Sequence, residues 1–533
     1  MIDVVIAGAG PNGLMLAGEL GLAGIRPVVL DPMPGPNPEP RANGIVGQAI
    51  RILDHRGLYR TLAATEEPPR LNPRAMFAAF PLDLALMPDS QLFLLPIQQP
   101  KLVQVLAERA GEYDTEICWG HALTGFHQHD DRVTVQVSGP DGAYELTAKY
   151  LVGADGGTST TRKLAGIDFP GMSSYDVVAR LGFDVLPPDE WIDPGSGGLE
   201  IPGFGRVPPL QFHRAEQGVF AYGALGNRTA MIVFELDRTA REEPRDDNAD
   251  DPPMSLAELE ASAKRVLGAE VPLRPASSDV PLDLRRFSGI NSRLASRYQV
   301  GRVILVGDAA HVHSPMGGPG LNLGLQDAVN LGWKLAAVLN GRVEPGLLAT
   351  YEAERRPAAE RVIMHTRAQL ALVRPGPEVT ALRQLFSELV TDPAIVRRLS
   401  DLISGAENRY STGADAHPLA GRWVPDFSVA TASGTRRIAE LARDGRPLLL
   451  DLTDRGIVAA ALADVADRLT VATGRPVATW RRRRCLCVPM VTWRGHVRTP
   501  HPKSMIYVAY SRSGSESDSL FRTDFVLIFL GRR

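Results

Sequence analysis

The chain has 533 residues, enough for two to four domains of ordinary size. Apolar residues make up 44% and charged residues 22%, and the net charge of -3 excludes both a strongly basic nucleic-acid binder and an acidic disordered chain. Three cysteines (Cys118, Cys485, Cys487) are too few for a disulfide framework, no apolar run nears the roughly 18 residues of a membrane helix, and no secretory leader is visible, so a cytoplasmic location is expected.

Charge is distributed unevenly. Residues 481–533 hold eleven Lys/Arg against three acids, a charge of +8, which leaves -11 on residues 1–480.

In chain order, residues 2–7 read as a short buried strand, followed at once by Gly8-Ala9-Gly10-Pro11-Asn12-Gly13. Leu14 to Ala23 reads as a helix that Gly24 terminates, and Pro27 to Leu30 as a second strand closed by Asp31. Residues 100–111 are helical by periodicity, and Arg132–Val137 and Tyr144–Val152 are strands. The acidic, Pro-rich tract Asp237–Pro253 reads as a solvated loop. Ser255-Leu-Ala-Glu258 reads as a capping box opening a helix that stops before Gly268. Val303–Val306 is a strand. Helices are predicted over Leu321–Leu339 and 351–372, and a strand over Arg446–Leu452.

Three motifs carry chemistry. Gly8-x-Gly10-x-x-Gly13 follows a strand and opens a helix, the context in which a dinucleotide pyrophosphate meets a helix N-terminus. Asp31, 18 residues after Gly13, is placed to accept ribose hydroxyls. The second motif, Asp155-Gly-Gly-Thr-Ser-Thr-Thr-Arg162, also reads simply as a strand end, a glycine turn and a helix cap at Ser159. The third, Gly307-Asp308-Ala-Ala-His311 followed by Pro315-Met-Gly-Gly-Pro-Gly-Leu-Asn322, delivers a carboxylate at a strand end. Free N–H groups around Gly320 to Asn322 then offer to stabilise a developing anion. His311 and His313 lack acidic or thiol neighbours, so no metal is expected.

In this order and spacing the motifs resemble the FAD-dependent class A aromatic hydroxylases, and within them the polyketide and rifampicin-type monooxygenases. The resemblance spans about residues 1–425. It includes Arg41-Ala-Asn-Gly44, Gln99, Tyr351-Glu-x-Glu-Arg-Arg-Pro357 and Thr366-Arg-Ala-Gln369.

The resemblance implies an α/β fold: a glutathione-reductase-type, Rossmann-like FAD domain with an inserted α+β substrate domain and a small C-terminal thioredoxin-like domain. The corresponding divisions are 1–171 and 291–395 for the FAD domain, 172–290 for the substrate domain, 396–480 for the C-terminal domain and 481–533 for an atypical basic tail. Arg446–Asp451 resembles the central strand of the last domain, but its usual ending is missing. An altered reading frame near residue 480, or a divergent extension, would explain the switch, and 481–533 is expected to be poorly ordered.

For the cofactor, the resemblance assigns Gly8, Gly10 and Gly13 to the FAD pyrophosphate, with Asn12 a further cofactor contact, and Asp31 to the ribose, where the family more often has Glu. It assigns Arg41 and Gln99 to the diphosphate and ribityl region, Leu123 to the adenine end, and Asp155, with Arg162 bracing it, to a dual FAD/NAD(P)H segment. Asp308 falls to the ribityl chain, Pro315 to the face where oxygen reacts, Leu321 and Asn322 to the flavin pyrimidine ring, and Gly318 and Gly320 to further cofactor contacts. The implied reaction consumes NAD(P)H and O2 and hydroxylates an aromatic substrate, a phenol, polyketide or rifamycin-like antibiotic, through a flavin C4a-hydroperoxide, with no side-chain nucleophile. Baeyer–Villiger or epoxidising chemistry, an FAD reductase that uses no oxygen, and a flavin-binding protein are the alternatives. Phe204, Phe212, His213, Tyr222 and Met231 are candidate substrate contacts, although aromatic residues at strand spacing also pack as plain sheet core. A monomer or homodimer, with neither nucleic-acid nor membrane partners, is expected.

Overall fold

The computed structural model describes residues 1–477, apart from 40–41, 86, 88–89, 216, 226–227, 237–252, 278–281, 411–420, 425, 453–458, 461–462 and 464–468. The acidic tract therefore lies largely outside the described residues, as do Arg41 and the whole basic tail.

The first sheet has a parallel centre. Val303–Leu305, Gly142–Gly153, Ile2–Ala7, Val28–Asp31 and Glu116–Trp119 lie side by side in that order, all pointing the same way. Their apolar, β-branched runs suit strands covered on both faces. The start of Gly142–Gly153 also pairs with an antiparallel meander, Ala122–Gln128 and Val133–Gly139.

Two helices cover one face. Pro11–Leu22 starts earlier than predicted because Pro11 takes the first helical position. Pro319–Leu339 likewise starts at a proline, after Gly318 at φ +64. The helices approach at glycines: a Cβ on Gly332 would stand 2.6 Å from Glu19 Cβ. Leu14, Leu16, Leu20, Leu325, Leu331 and Leu335 fill the shared core.

The second sheet has six antiparallel strands in the order His213–Ala215, Gly218–Leu225, Arg228–Leu236, Gly171–Phe183, Asp283–Leu294 and His311–Val312. Its last strand belongs to the third motif. The divisions predicted at 171/172 and 290/291 therefore fall within the continuous strands Gly171–Phe183 and Asp283–Leu294.

One side of this sheet is covered by the helix Leu256–Leu267. Ser255 Oγ accepts the Glu258 N–H at 3.2 Å, but the reciprocal half of the predicted capping box does not form. The Glu258 carboxylate instead accepts hydrogen bonds from Arg286 and Arg180, which hold it down at about 2.

Helices Ala349–Val373, Pro377–Leu389 and Pro393–Ser404 follow, so the division predicted at 396 lies inside the last of them. A four-stranded sheet then orders Gly434–Arg437, Ser428–Thr431, Thr470–Pro476 and Leu448–Asp451. This unit docks on the helix Ala49–His55 through an ion pair from Arg437 to Asp54 and a hydrogen bond from Arg51 to the Val424 carbonyl, while Asp426 pairs with Arg437 from within the unit.

Candidate active site

All three motifs leave the carboxyl ends of adjacent parallel strands. Gly8 follows Ala7, Asp155 follows Gly153 by two residues, and Gly307 follows Leu305 by two. Asp31 ends the neighbouring strand. Ligands of open α/β sheets bind along this edge.

Gly8 has φ +111, and a Cβ there would stand 2.4 Å from the Ala154 carbonyl oxygen. A Cβ on Gly13 would stand 2.0 Å from the Gly8 oxygen. Gly10 differs: a Cβ there would meet nothing within 4 Å. Gly8 and Gly13 are thus required by the turn itself, whereas Gly10 leaves an open approach at a helix N-terminus.

Two side chains tie the motifs together. Asn12 is wedged between Gly307 and Gly324, where added Cβ atoms would stand 2.0 and 2.5 Å from its Nδ2. Arg162 donates to the Ala309 carbonyl at 2.9 Å and to the Gly157 carbonyl at 2.8 Å, with its guanidinium over the Phe169 ring. Asp155 turns inward: its carboxylate accepts from the Thr161 N–H at 2.8 Å, the Thr161 hydroxyl at 2.9 Å and the Ser159 hydroxyl. Arg162 therefore braces this segment through a backbone carbonyl, with no hydrogen bond to the Asp155 carboxylate.

Asp31 accepts the Ala9 N–H at 2.8 Å and the Met33 N–H at 2.9 Å, so it shapes the glycine loop itself. Leu123 lies on the strand that follows the Gly120–Met33 and His121–Asp31 backbone contacts. Gln99 opens the helix Gln99–Gly111, its N–H bonded to the Ala42 carbonyl.

Asp308 is exposed and makes no hydrogen bond among the described residues. Pro315 and Gly318 are exposed as well. The Gly320 and Leu321 N–H groups lie in the first turn of Pro319–Leu339 and have no intrahelical acceptor. The Asn322 side chain is committed to packing: Oδ1 accepts the Ala49 N–H at 2.9 Å.

These residues fit an FAD. Gly10 leaves room for a pyrophosphate, a free helix N-terminus and the exposed Asp308 carboxylate offer a donor and an acceptor to a polar cofactor, and the buried Oδ1 atoms of Asn12 and Asn43 have no hydrogen-bond partner among the described residues. Asn43, within Arg41-Ala-Asn-Gly44, was visible in the sequence only as part of a motif.

Residues 1–366 match the FAD binding domain family, and residues 417–497 match the aromatic-ring hydroxylase C-terminal family. The chain belongs to the FAD-dependent aromatic hydroxylases. It is a flavin monooxygenase by family. It is 40% identical over 483 residues to the 12-dehydrotetracycline 5-monooxygenase/anhydrotetracycline 6-monooxygenase of Streptomyces rimosus, covering 89% of this chain and 90% of that one. It is 37% identical over 461 residues to rifampicin monooxygenase of Streptomyces venezuelae, covering 86% and 89%. Dialkyldecalin synthase of Streptomyces rugosporus is 34% identical over 450 residues, covering 84% and 87%. The solved structure of CabE, an aromatic hydroxylase from angucycline biosynthesis, superposes with a TM-score of 0.76 at 33% identity, covering 90% and 91%.

The C-terminal match runs past residue 480, where the composition changes. No described helix is long and apolar enough to cross a membrane.

The hydroxylase's second sheet presents two faces. Phe220, Tyr222, Met231 and Val233 share a core with helix Leu256–Leu267, and Phe204 packs against it. His213 is in register with Phe220 and so points to that same side. On the opposite face Phe212, Val219 and Phe234 join a cluster that contains Met316 of the third motif. The Phe212 and Phe234 ring centroids are 5.9 Å apart. Of the five candidate substrate contacts, then, only Phe212 lies on the face that meets the third motif.

His311 is fully buried, its Nε2 2.6 Å from Asp327 Oδ2, and His313 Nδ1 bonds the Ser314 carbonyl. Among the described residues no group of three metal-ligating side chains forms. A cleft of about 560 Å³ between Gly171–Met172, Ser292–Leu294 and Ile363–Ala371 contains no residue of the three motifs.

Proposed function

We propose that this flavin monooxygenase hydroxylates a fused-ring phenolic polyketide, with NAD(P)H as reductant. The observation that carries the reading is the strand His311–Val312. It is at once an edge of the inserted sheet and the lead-in to the loop Pro315–Gly318, so strand pairing ties that sheet to the third motif, and Met316 of the motif shares a cluster with Phe212 and Phe234. Similarity to enzymes named for anhydrotetracycline and angucycline chemistry supports a polycyclic substrate.

Bound FAD would supply the activation of O2 that no amino-acid side chain provides. Gly8, Gly10 and Gly13 would receive the pyrophosphate and Asp308 the ribityl hydroxyls, with Asp31 near the ribose. The N–H groups of Gly320 and Leu321, at the positive end of a helix, would hold negative charge on the pyrimidine edge. Phe212 and Met316 would orient the ring and exclude water. In balance, substrate–H, O2, NAD(P)H and H+ give substrate–OH, NAD(P)+ and H2O.

The test is turnover of anhydrotetracycline and rifampicin under isotopically labelled O2. Probe-stimulated NAD(P)H oxidation with one labelled oxygen in the product supports the reading. A second reading, ring closure without net redox change, is raised by the synthase relative. Conversion of a probe with no O2 consumed would favour it and sink the first.

A further inference from the structure

Gln369 bonds the Ala78 hairpin to its own helix and lies beside the loop of the third motif. Its Oε1 accepts the Ala78 N–H at 3.1 Å, and its Nε2 lies 3.2 Å from His365 Nδ1. The same carboxamide lies beside Gly317 of the flavin loop, where an added Cβ would stand 3.3 Å from Nε2. Gln369 and His365 are each 1% exposed. Burial keeps His365 neutral, so its Nδ1 can accept from Gln369 Nε2, and the Ala78 N–H can only donate. Both ends of the amide are thereby assigned.

The segment Gln369 grips is strained. Ala78 at φ +50 and Ala79 at φ +63 form the turn between Arg74–Phe77 and Phe80–Asp83. Each non-glycine residue in this region costs about 1 kcal/mol. The Ala78 carbonyl is held as well: it accepts from Arg383 Nη1 at 2.7 Å, while the Arg383 guanidinium lies 4.0 Å over the Phe80 ring. Strain held from both sides marks a place where position matters. Phe77 and Phe80 belong to the cluster that contains Met316 and is flanked by Phe212.

We propose that Gln369 is a positioning residue that couples the aromatic hairpin Arg74–Asp83 to the flavin loop Pro315–Gly318. A substrate ring packed on the hairpin then sets the loop for oxygen transfer. The inference rests on the monooxygenase reading above. Poor coupling diverts the reductant: NADPH, H+ and O2 give NADP+ and H2O2, with no oxygen reaching the substrate.

Gln369→Met removes both polar contacts at similar length, and Arg383→Met releases the other side of Ala78. Each holoenzyme is compared with the native one for FAD content, for the change anhydrotetracycline causes in the flavin absorbance, and for peroxide formed per NADPH consumed. Both variants should keep their FAD, lose most of the absorbance change, and divert about tenfold more NADPH to peroxide. Native-like coupling in Gln369→Met overturns the proposal. So does a loss of FAD in both variants with unaltered coupling in the holoenzyme that remains, because that is a merely structural role. If Gln369→Met does not fold, Arg383→Met carries the test. The monooxygenase reading is tested by labelled oxygen in the product, whereas the absorbance change reports on Gln369 without turnover, so the two failures are distinguishable.

Discussion

Asp327 stands between His311 and Arg355, with Oδ2 2.6 Å from His311 Nε2 and Oδ1 2.6 Å from Arg355 Nε. All three side chains are fully buried. The carboxylate thereby joins the third motif, the helix Pro319–Leu339 that starts from that motif, and the helix Ala349–Val373. Burial by itself opposes ionisation of Asp327, but Arg355 and His311 more than offset it and hold the carboxyl below the usual range.

Asp327→Asn leaves the Arg355 charge buried without its anion. Removing one partner of such a pair costs about 3–5 kcal/mol. Urea unfolding of the variant should show that loss, and equal midpoints would contradict the assignment. The sign with pH follows from the lowered pKa. The stability Asp327 provides is complete above its unfolded value near 4 and is lost as pH falls through the lower folded value.

Much of the cofactor site was legible because its signals are local. A glycine directly after a strand and before a helix fixes both the turn and the approach, and the carboxyl ends of neighbouring strands collect Gly8, Asp31, Asp155 and Gly307. Which face of the second sheet meets the third motif was not legible. Alternation along Gly218–Leu225 separates Tyr222 from Val219 but does not say which of them meets the flavin segment; that depends on which side helix Leu256–Leu267 covers. Gln369 gave no periodic signal, because its partners Ala78 and Gly317 are far away in the chain. The Asp155 segment also reads as a strand end, a glycine turn and a helix cap at Ser159, and in the fold the Asp155 oxygens go to Ser159 and Thr161.

His365 should make the enzyme acid-labile. Burial, and secondarily His313, lowers its pKa from 6.5 to about 4. The unfolded chain binds the proton first, so stability is complete above about 6.5 and falls as pH drops toward 4. His365→Gln should flatten the fall in that window by up to about 1.4 kcal/mol per pH unit. His55 and His313, also lowered by burial, would leave a residual slope. Thermal unfolding of both proteins from pH 7 to pH 4 checks the difference, and parallel curves would refute it.

Phe212 and Tyr222 separate the two faces of the sheet. Tyr222 is 2% exposed in the core under the helix, so Tyr222→Ala should cost about 3–5 kcal/mol while holoenzyme that folds keeps its KM. Phe212→Ala should unfold later than Tyr222→Ala but raise KM for an aromatic substrate about tenfold, as expected for a ring contact of about 1.4 kcal/mol. The reverse pattern would put the substrate on the helix side.

Gly10 and Gly13 differ in a way that separates folding from binding. A methyl group on Gly13 meets the Gly8 oxygen at 2.0 Å, a backbone atom that cannot swing away, so Gly13→Ala should destabilise the apoprotein itself. A methyl group on Gly10 meets no protein atom within 4 Å, and Gly10 does not have a positive φ. Gly10→Ala should therefore unfold at the native temperature without FAD, yet bind FAD at least about tenfold more weakly, because the methyl occupies the approach of the pyrophosphate. Flavin-fluorescence titration of the apoprotein, read beside its thermal melt, distinguishes the two. Native FAD affinity in Gly10→Ala would place the pyrophosphate elsewhere.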